Sequence, residues 1–278
     1  VRRIWFVLIA LLSVPAYCPA AGGAVIHVGS EVSFAPYAMQ DEGGVPIGYS
    51  IDLIKAVARA EGLQLEFSAG PWDMMWERLV TGKLDVLPIV ARLPERENLV
   101  DFSAPHTEAF DAFFVRSGEP SIGSIDAARG KAIVVMRADA AHHALLGRKF
   151  EGRIVLADTI PQGLFLVAAG NYDAFLGSLP VCATALRQDG IGGLEAGPPI
   201  PDYKRVFHFG IKKGEARLAA ALDRGLQTIK ASGEYDAIYR RWLTGKKAST
   251  PLPWPAIGLT VLALLVAIGW FRRAKPAP

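Results

Sequence analysis

The sequence predicts an α/β fold, and three observations predict it. Short apolar runs rich in β-branched residues alternate with amphipathic stretches at intervals that fit one strand and then one helix. Glycine-bearing turns mark the changes of period, as at Gly62 and at Gly82-Lys83. The same rhythm then repeats in the second half of the chain. Residues 25–29 read as a strand, and 41–46 as a turn-rich connection. Leu53, Ala56, Val57 and Ala60 recur at helical spacing until Gly62 stops the helix. Residues 63–67 are a strand and 72–81 a short helix with Met75, Trp76 and Leu79 on one side. A strand from Asp85, an irregular loop carrying Pro94-Glu95-Arg96 and a second strand ending in Asp101-Phe102-Ser103 follow. In the second unit, 132–136, 154–156 and 172–177 read as strands. Helices are expected from 137–140 toward 146, at 160–169 and at 181–188. Two β-rich segments, 111–116 and 206–212, frame it, and 215–242 is helical, with Leu218, Leu222, Leu226 and Ile229 on one face. Such alternation points to a mostly parallel sheet.

The ends of the chain carry targeting signals. Arg2-Arg3, an apolar run to Val14 and the small residues of 16–21 are the parts of a secretory signal, expected over 1–21. Cys18 raises a lipid-anchored alternative, but Tyr17 and Pro19 are poor neighbours for lipid attachment. Residues 252–271 form a charge-free stretch, close to the roughly 20 residues a bilayer's hydrocarbon core requires of a helix. Pro253 and Pro255 sit at its start, where proline is tolerated. Trp254 and Trp270 fall at interfacial depth, and Arg272, Arg273 and Lys275 follow as a cytoplasmic flank. The expected organisation is a linker over 246–251, a transmembrane helix over 252–271 and a cytoplasmic tail over 272–278. The bulk of the protein would then lie in the periplasm, held to the inner membrane by a single pass.

Charge and cysteine content exclude several classes. The formal net charge is +3, and removing the five cations of the two targeting segments leaves about −2, so the basic balance belongs to those segments. A nucleic-acid partner is not supported. Losing the signal also loses Cys18 and leaves Cys182 alone, so the fold must stand on its core rather than on a disulfide. Roughly 230 residues remain between the signals, enough for one large or two modest cores.

The run Asp85-Val-Leu-Pro-Ile-Val-Ala-Arg-Leu-Pro-Glu-Arg-Glu-Asn-Leu-Val-Asp-Phe-Ser-Ala-Pro105 resembles a signature segment of the family 3 periplasmic solute-binding proteins. Gly48-Tyr-Ser-Ile-Asp52-Leu, Gly130-Lys131 before a strand, Tyr172-Asp173-Ala174 and the closing stretch from Ser232 to Trp242 are similar to further parts of that family's pattern. Each fragment is weak alone; five in order and at the right spacing are strong. The resemblance covers about 24–245. It implies a two-lobed periplasmic-binding-protein fold of type II with two crossover strands. Lobe 1 would comprise 24–112 and 207–245, and lobe 2 113–206, with a ligand in the cleft between them closing the lobes by hinge motion.

Candidate site residues follow from the same resemblance. Arg96 would clamp the carboxylate of an amino-acid-like ligand, a task suited to a planar fork of donors; its bland alternative is a surface ion pair with Glu95, Glu97 or Asp101. Phe34, Tyr37 and Trp72 would pack the ligand's side chain; Trp76 is a further candidate, for which its apolar helix face favours core. Asp139 stands where the family places a Gly-Ser/Thr-Thr turn that receives the carboxylate at a helix N-terminus. It would cap the helix or present a negative charge to the cleft. Two departures matter. Ser178 occupies the position of the acid that holds the ligand's ammonium, and Ala91 replaces a small hydroxyl five residues before the arginine. An α-amino group would then be left unpaired, so either the ligand is a carboxylate without the amine or Glu31 or Asp139 meets its cation. His142-His143 cannot chelate one ion, since adjacent helical residues point about 100° apart, and no cofactor or metal is expected.

Three functions compete. The first is a membrane-anchored binding protein that captures a small carboxylate-bearing solute and hands it to an ABC permease. The second is the periplasmic sensor module of a signalling system, truncated or dependent on a membrane partner; Gly245 and Thr250-Pro251 interrupt any rigid helical path into the membrane. The third is a cyclohexadienyl-dehydratase-like enzyme, which needs a cleft acid as proton donor, and Ser178 removes the first candidate for it.

Overall fold

Strand β1 (Val25–Glu31) leads into a small three-stranded sheet of β2 (Ser33–Phe34), β3 (Ala38–Gln40) and β4 (Pro46–Ile47). Helix α1 (Tyr49–Glu61) follows. It starts after Gly48, whose φ of 128° is open to glycine, and where a Cβ would lie 2.4 Å from the Tyr37 carbonyl oxygen. It ends on a left-handed Gly62 whose N–H closes onto the carbonyls of Ala58 and Arg59. Of the expected stripe Leu53, Ala56 and Val57 are buried and Ala60 is exposed, its place taken by Ile54; Leu53, Ile54 and Val57 are fully inaccessible, each worth about 1.5–3 kcal/mol as an upper estimate. Strand β5 (Gln64–Gly70), α2 (Trp72–Val80), β6 (Val86–Ala91), α3 (Pro94–Glu97), β7 (Val100–Phe102) and β8 (Thr107–Arg116) complete this first run.

The second run comprises β9 (Ala132–Met136), α4 (Ala140–Gly147), β10 (Arg153–Ala157), α5 (Ile160–Ala168), β11 (Ala174–Ser178), α6 (Leu179–Gln188) and β12 (Leu194–Ala196). Strand β13 (Lys204–Lys212) then returns, followed by α7 (Ala216–Ala231) and α8 (Glu234–Leu243), separated at a left-handed Gly233. The computed structural model describes residues 25–201 and 203–244. The secretory signal expected over 1–21 and the membrane helix expected over 252–271 lie outside the described residues. Among the described residues no helix is long and apolar enough to cross a membrane.

The strands run in the order β10-β9-β11-β8-β13-β6-β1-β5, with β12 on β8 and β7 on β13. This is a two-lobed α/β architecture. The β5-β1-β6-β13 group is covered by α1 and α7, with α8 packed on both, on one face and by α2 on the other, and β8-β11-β9-β10 by α5 and α6 on one face and α4 on the other. Among the described residues the two groups of strands pair only where the first residues of β8 and β13 meet, Phe207 with Thr107 and Arg205 with Ala109. The expectation of a mostly parallel sheet needs correction here. Pairs β1–β5, β1–β6, β9–β10 and β9–β11 are parallel, but β8 and β13 run antiparallel to every neighbour. These two strands carry the chain between lobes, so no helical crossover sets their direction.

Two smaller differences have local causes. The Pro94–Arg96 loop is a helical turn, because proline at the first helical position pre-sets φ and Arg96 and Leu99 close turns onto Leu93 and Arg96. The strand expected from Tyr172 begins at Ala174, since the Asp173 carboxylate takes the Ala132 N–H at 2.6 Å and holds the chain in a turn.

Candidate functional site

The C-terminal ends of the parallel strands in both lobes converge on one cleft, the place where open α/β sheets bind ligands. Glu31 ends β1 and Phe34 follows it; Trp72 opens α2 after β5; Ala91 ends β6 and Arg96 lies in the turn beyond; Asp139 caps α4 after β9. With Ile89, Arg205 and Phe207 they line a single cavity. Of the residues expected from the sequence, Glu31, Phe34, Trp72, Ala91, Arg96 and Asp139 are brought together. Tyr37 and Ser178 are not among the cavity's lining. Tyr37 is 2 % exposed and packs against Phe34 and Phe207, with ring centroids 5.7 and 5.5 Å away. Ser178 is buried under α6, opposite Asp111 on β8, and its hydroxyl has no partner among the described residues.

Arg96 is not a surface ion pair. It is 3 % exposed, and no carboxylate of the described residues lies within ion-pairing distance of it. Its Nη1 donates to the Ala91 carbonyl at 3.0 Å and its Nη2 to the Ala138 carbonyl at 2.9 Å, while Nε, also buried, has no acceptor. The guanidinium stacks over the Trp72 and Trp76 rings at 5.2 and 4.9 Å, a cation–π cage. Trp76, for which the sequence favours core over the site, is therefore core on one side and cage wall on the other. Burial lowers the Arg96 pKa to about 10, which leaves it charged at neutral pH.

The second arginine was missed by sequence reasoning. Arg205, at the hinge end of β13, donates from Nε and Nη2 to Asp111 at 2.5 and 2.6 Å. It also donates from Nη1 and Nη2 to Asp139, both at 2.6 Å. All three side chains are buried. Burial works against the Arg205 charge, but Asp111 and Asp139 outweigh it and hold the pKa well above the ordinary arginine range. Burial likewise raises Asp139, yet Arg205 and the N–H groups of Ala140 and Ala141 overcome that and keep the acid low. For Asp111 burial prevails, pushing it up to about 6 against the pull of Arg205. Asp139 thus fulfils both sequence readings: it caps α4, accepting from the Ala141 N–H at 3.2 Å, and carries a charge into the cleft. Glu31 is different. Burial first, and the Asp139 charge second, push it up to about 8, so the acid is neutral at pH 7. The signal for Arg205 lay in the sequence as the second cation of Lys204-Arg205 at the mouth of an apolar run, but nothing local distinguishes it from its exposed neighbour Lys204.

The lobes touch across this cleft. Ala138, in left-handed backbone at φ 56°, offers its carbonyl to Trp72 Nε1 at 3.0 Å as well as to Arg96, and His143 Nδ1 lies 3.2 Å from Glu95. The space left inside is about 10 Å³, room for roughly one water.

Comparison with known proteins agrees with the two-lobed fold. The pattern that defines "Bacterial extracellular solute-binding proteins, family 3" matches residues 26–245. A "Probable histidine-binding protein" of Neisseria gonorrhoeae is 29 % identical over 82 % of this chain and 86 % of its own length. Among solved structures, a histidine kinase sensor domain with similarity to periplasmic binding proteins superposes with a TM-score of 0.76 at 28 % identity, covering 80 % of this chain and 97 % of that one. An ancestral arginine-binding protein bound to glutamine superposes with a TM-score of 0.72, also at 28 % identity, over 79 % and 97 %.

Proposed function

Because this chain belongs to the bacterial extracellular solute-binding proteins of family 3, we propose that it captures a small carboxylate-bearing, amino-acid-like solute between its lobes, anchored to the inner membrane with its binding domain in the periplasm. One observation carries the reading: a buried guanidinium, caged by two indoles, lines the interlobe cavity without an anionic partner. An unpaired buried charge is costly, and a carboxylate presented to the Nε–H and the outer N–H groups of Arg96 would relieve that cost. Phe34, Trp72 and Phe207 supply apolar walls. Entry requires the lobes to part, since the Ala138 carbonyl now occupies Arg96 and Trp72. The β8–β13 ribbon is where they would hinge.

Delivery to an ABC permease is one use of such capture. Reporting the solute to a signalling partner is the other, favoured by the likeness to a kinase sensor domain and by the apolar run at 252–271. The deciding experiment for capture is thermal unfolding of the purified full chain against a library of amino acids, polyamines and small carboxylates. A solute at about a hundredfold excess over its Kd stabilises by roughly 2.7 kcal/mol, several degrees for a domain of this size. The shift is expected with wild type and absent in Arg96→Ala. A carboxylate that shifts both proteins equally overturns the role of Arg96.

A further inference from the structure

We propose that Asp139 receives the ammonium group of the solute, in place of an acid at position 178, and that Arg205 is the positioning residue that aims it. This rests on the reading of Arg96 as the carboxylate clamp. The sequence leaves the ammonium without a partner at Ser178, and in the structure Ser178 lies outside the cavity lining while Asp139 lies within it. Asp139 is the residue next to Ala138, whose carbonyl already meets Arg96. An anion and a cation therefore line one cavity.

Charge balance selects among solutes. Arg205 with Asp111 and Asp139 carries a net charge of about −1, and Arg96 carries about +1, each unpaired with the other by any direct bond. Glu31, the remaining acid of the cavity, is neutral at pH 7. A solute that adds a carboxylate at Arg96 and an ammonium at Asp139 keeps the buried site neutral. A monoanion, a dicarboxylate or a cationic amino acid leaves a net charge out of water, which is unfavourable. The site thus fits an α-amino acid with an uncharged side chain. Arg205 acts through Asp139: its two bonds of 2.6 Å hold both carboxylate oxygens in place and keep the acid ionised, while the hinge carboxylate of Asp111 holds Arg205.

The test is isothermal titration of the full chain with matched pairs: glutamine against its desamino acid, 4-carbamoylbutanoate, and phenylalanine against 3-phenylpropanoate. Glutamate and arginine serve as charged comparators. At least one uncharged amino acid is expected to bind, about tenfold or more tighter than its desamino partner, the cost of leaving one buried charged group unmatched. Asp139→Asn should erase that ratio, weakening the amino acid and tightening its desamino partner; Ser178→Ala should leave the ratio intact. Arg205→Lys should shrink the ratio without abolishing carboxylate binding, a change that a purely structural role would not produce. A desamino acid that binds as tightly as its parent overturns the assignment even if no variant folds. So does a ratio lost in Ser178→Ala, or one retained in Asp139→Asn. Tightest binding of arginine or glutamate overturns the charge argument. Binding of none of these compounds, or binding insensitive to Arg96→Ala, refutes the clamp itself, a different and separable failure.

Discussion

Arg205→Met removes one cation and leaves two carboxylates buried at the hinge. Arg205 forms four charged hydrogen bonds of 2.5–2.6 Å, and both acids are at least nine-tenths inaccessible. Breaking a buried ion pair by deleting one partner costs about 3–5 kcal/mol, because the remaining charge is neither solvated nor matched. Methionine fills most of the arginine stem's volume, so little of this is a cavity effect. For a domain of this size the loss corresponds to a fall in Tm of roughly 6–20 °C. It has a signed pH dependence. Asp111 already stands near 6 through burial and rises further without its arginine, so protonation limits the cost in acid; the loss should be larger at pH 8 than at pH 5. The assay is urea unfolding by far-UV circular dichroism at both pH values, alongside the triple variant Arg205→Met, Asp111→Asn, Asp139→Asn. Neutralising all three groups should recover most of the stability. A single-variant loss under about 1 kcal/mol, or a triple variant no better than the single one, would refute the claim that charge compensation holds this hinge together.

Glu31→Gln tests the neutral acid of the cavity. The folded pKa of about 8 lies above the ordinary 4.5, so between those values the folded chain holds a proton the unfolded chain has released. Stability from this group is full below pH 4.5 and declines as pH rises toward 8, by up to about 1.4 kcal/mol per pH unit. The wild-type-minus-variant difference in unfolding free energy should follow that slope; a flat difference contradicts it. Gly48→Ala forces a Cβ to 2.4 Å from the Tyr37 carbonyl at a φ of 128°, and a loss of about 2 kcal/mol or more is expected by chemical denaturation. An unchanged midpoint would mean that the loop before α1 yields freely. Trp72→Phe keeps the ring stack on Arg96 but deletes the Nε1–H bond to Ala138 across the cleft. Small-angle scattering of the solute-free chain should then report a larger radius of gyration, and an unchanged radius would show that this bond does not hold the lobes together.

Sequence by itself determined most of the scaffold. The α/β alternation, the strands near 25, 64, 86, 132, 154 and 174, and the helices closed by Gly62 and begun at Trp72 and Ile160 were legible because each rests on local period and local turn chemistry; that the first helix opens at Tyr49, four residues before its expected stripe, was not. Arg96 was legible too, through the segment around it, as were Glu31, Phe34, Trp72 and Asp139 as residues of one cleft. The direction of β8 and β13 was not, because strand pairing depends on which segments meet and not on the pattern within either. Nor was the company Asp139 keeps. Asp111, Asp139 and Arg205 are separated by up to 94 residues in the chain, and each alone reads as an ordinary polar residue at the start of an apolar run. Only the folded hinge removes them from water together, and desolvation turns three unremarked charges into one coupled group. Tertiary structure likewise decided that Ser178 and Tyr37 lie behind the cleft rather than in it. A side chain's facing follows from the twist and register of its neighbours, which no local window of sequence contains.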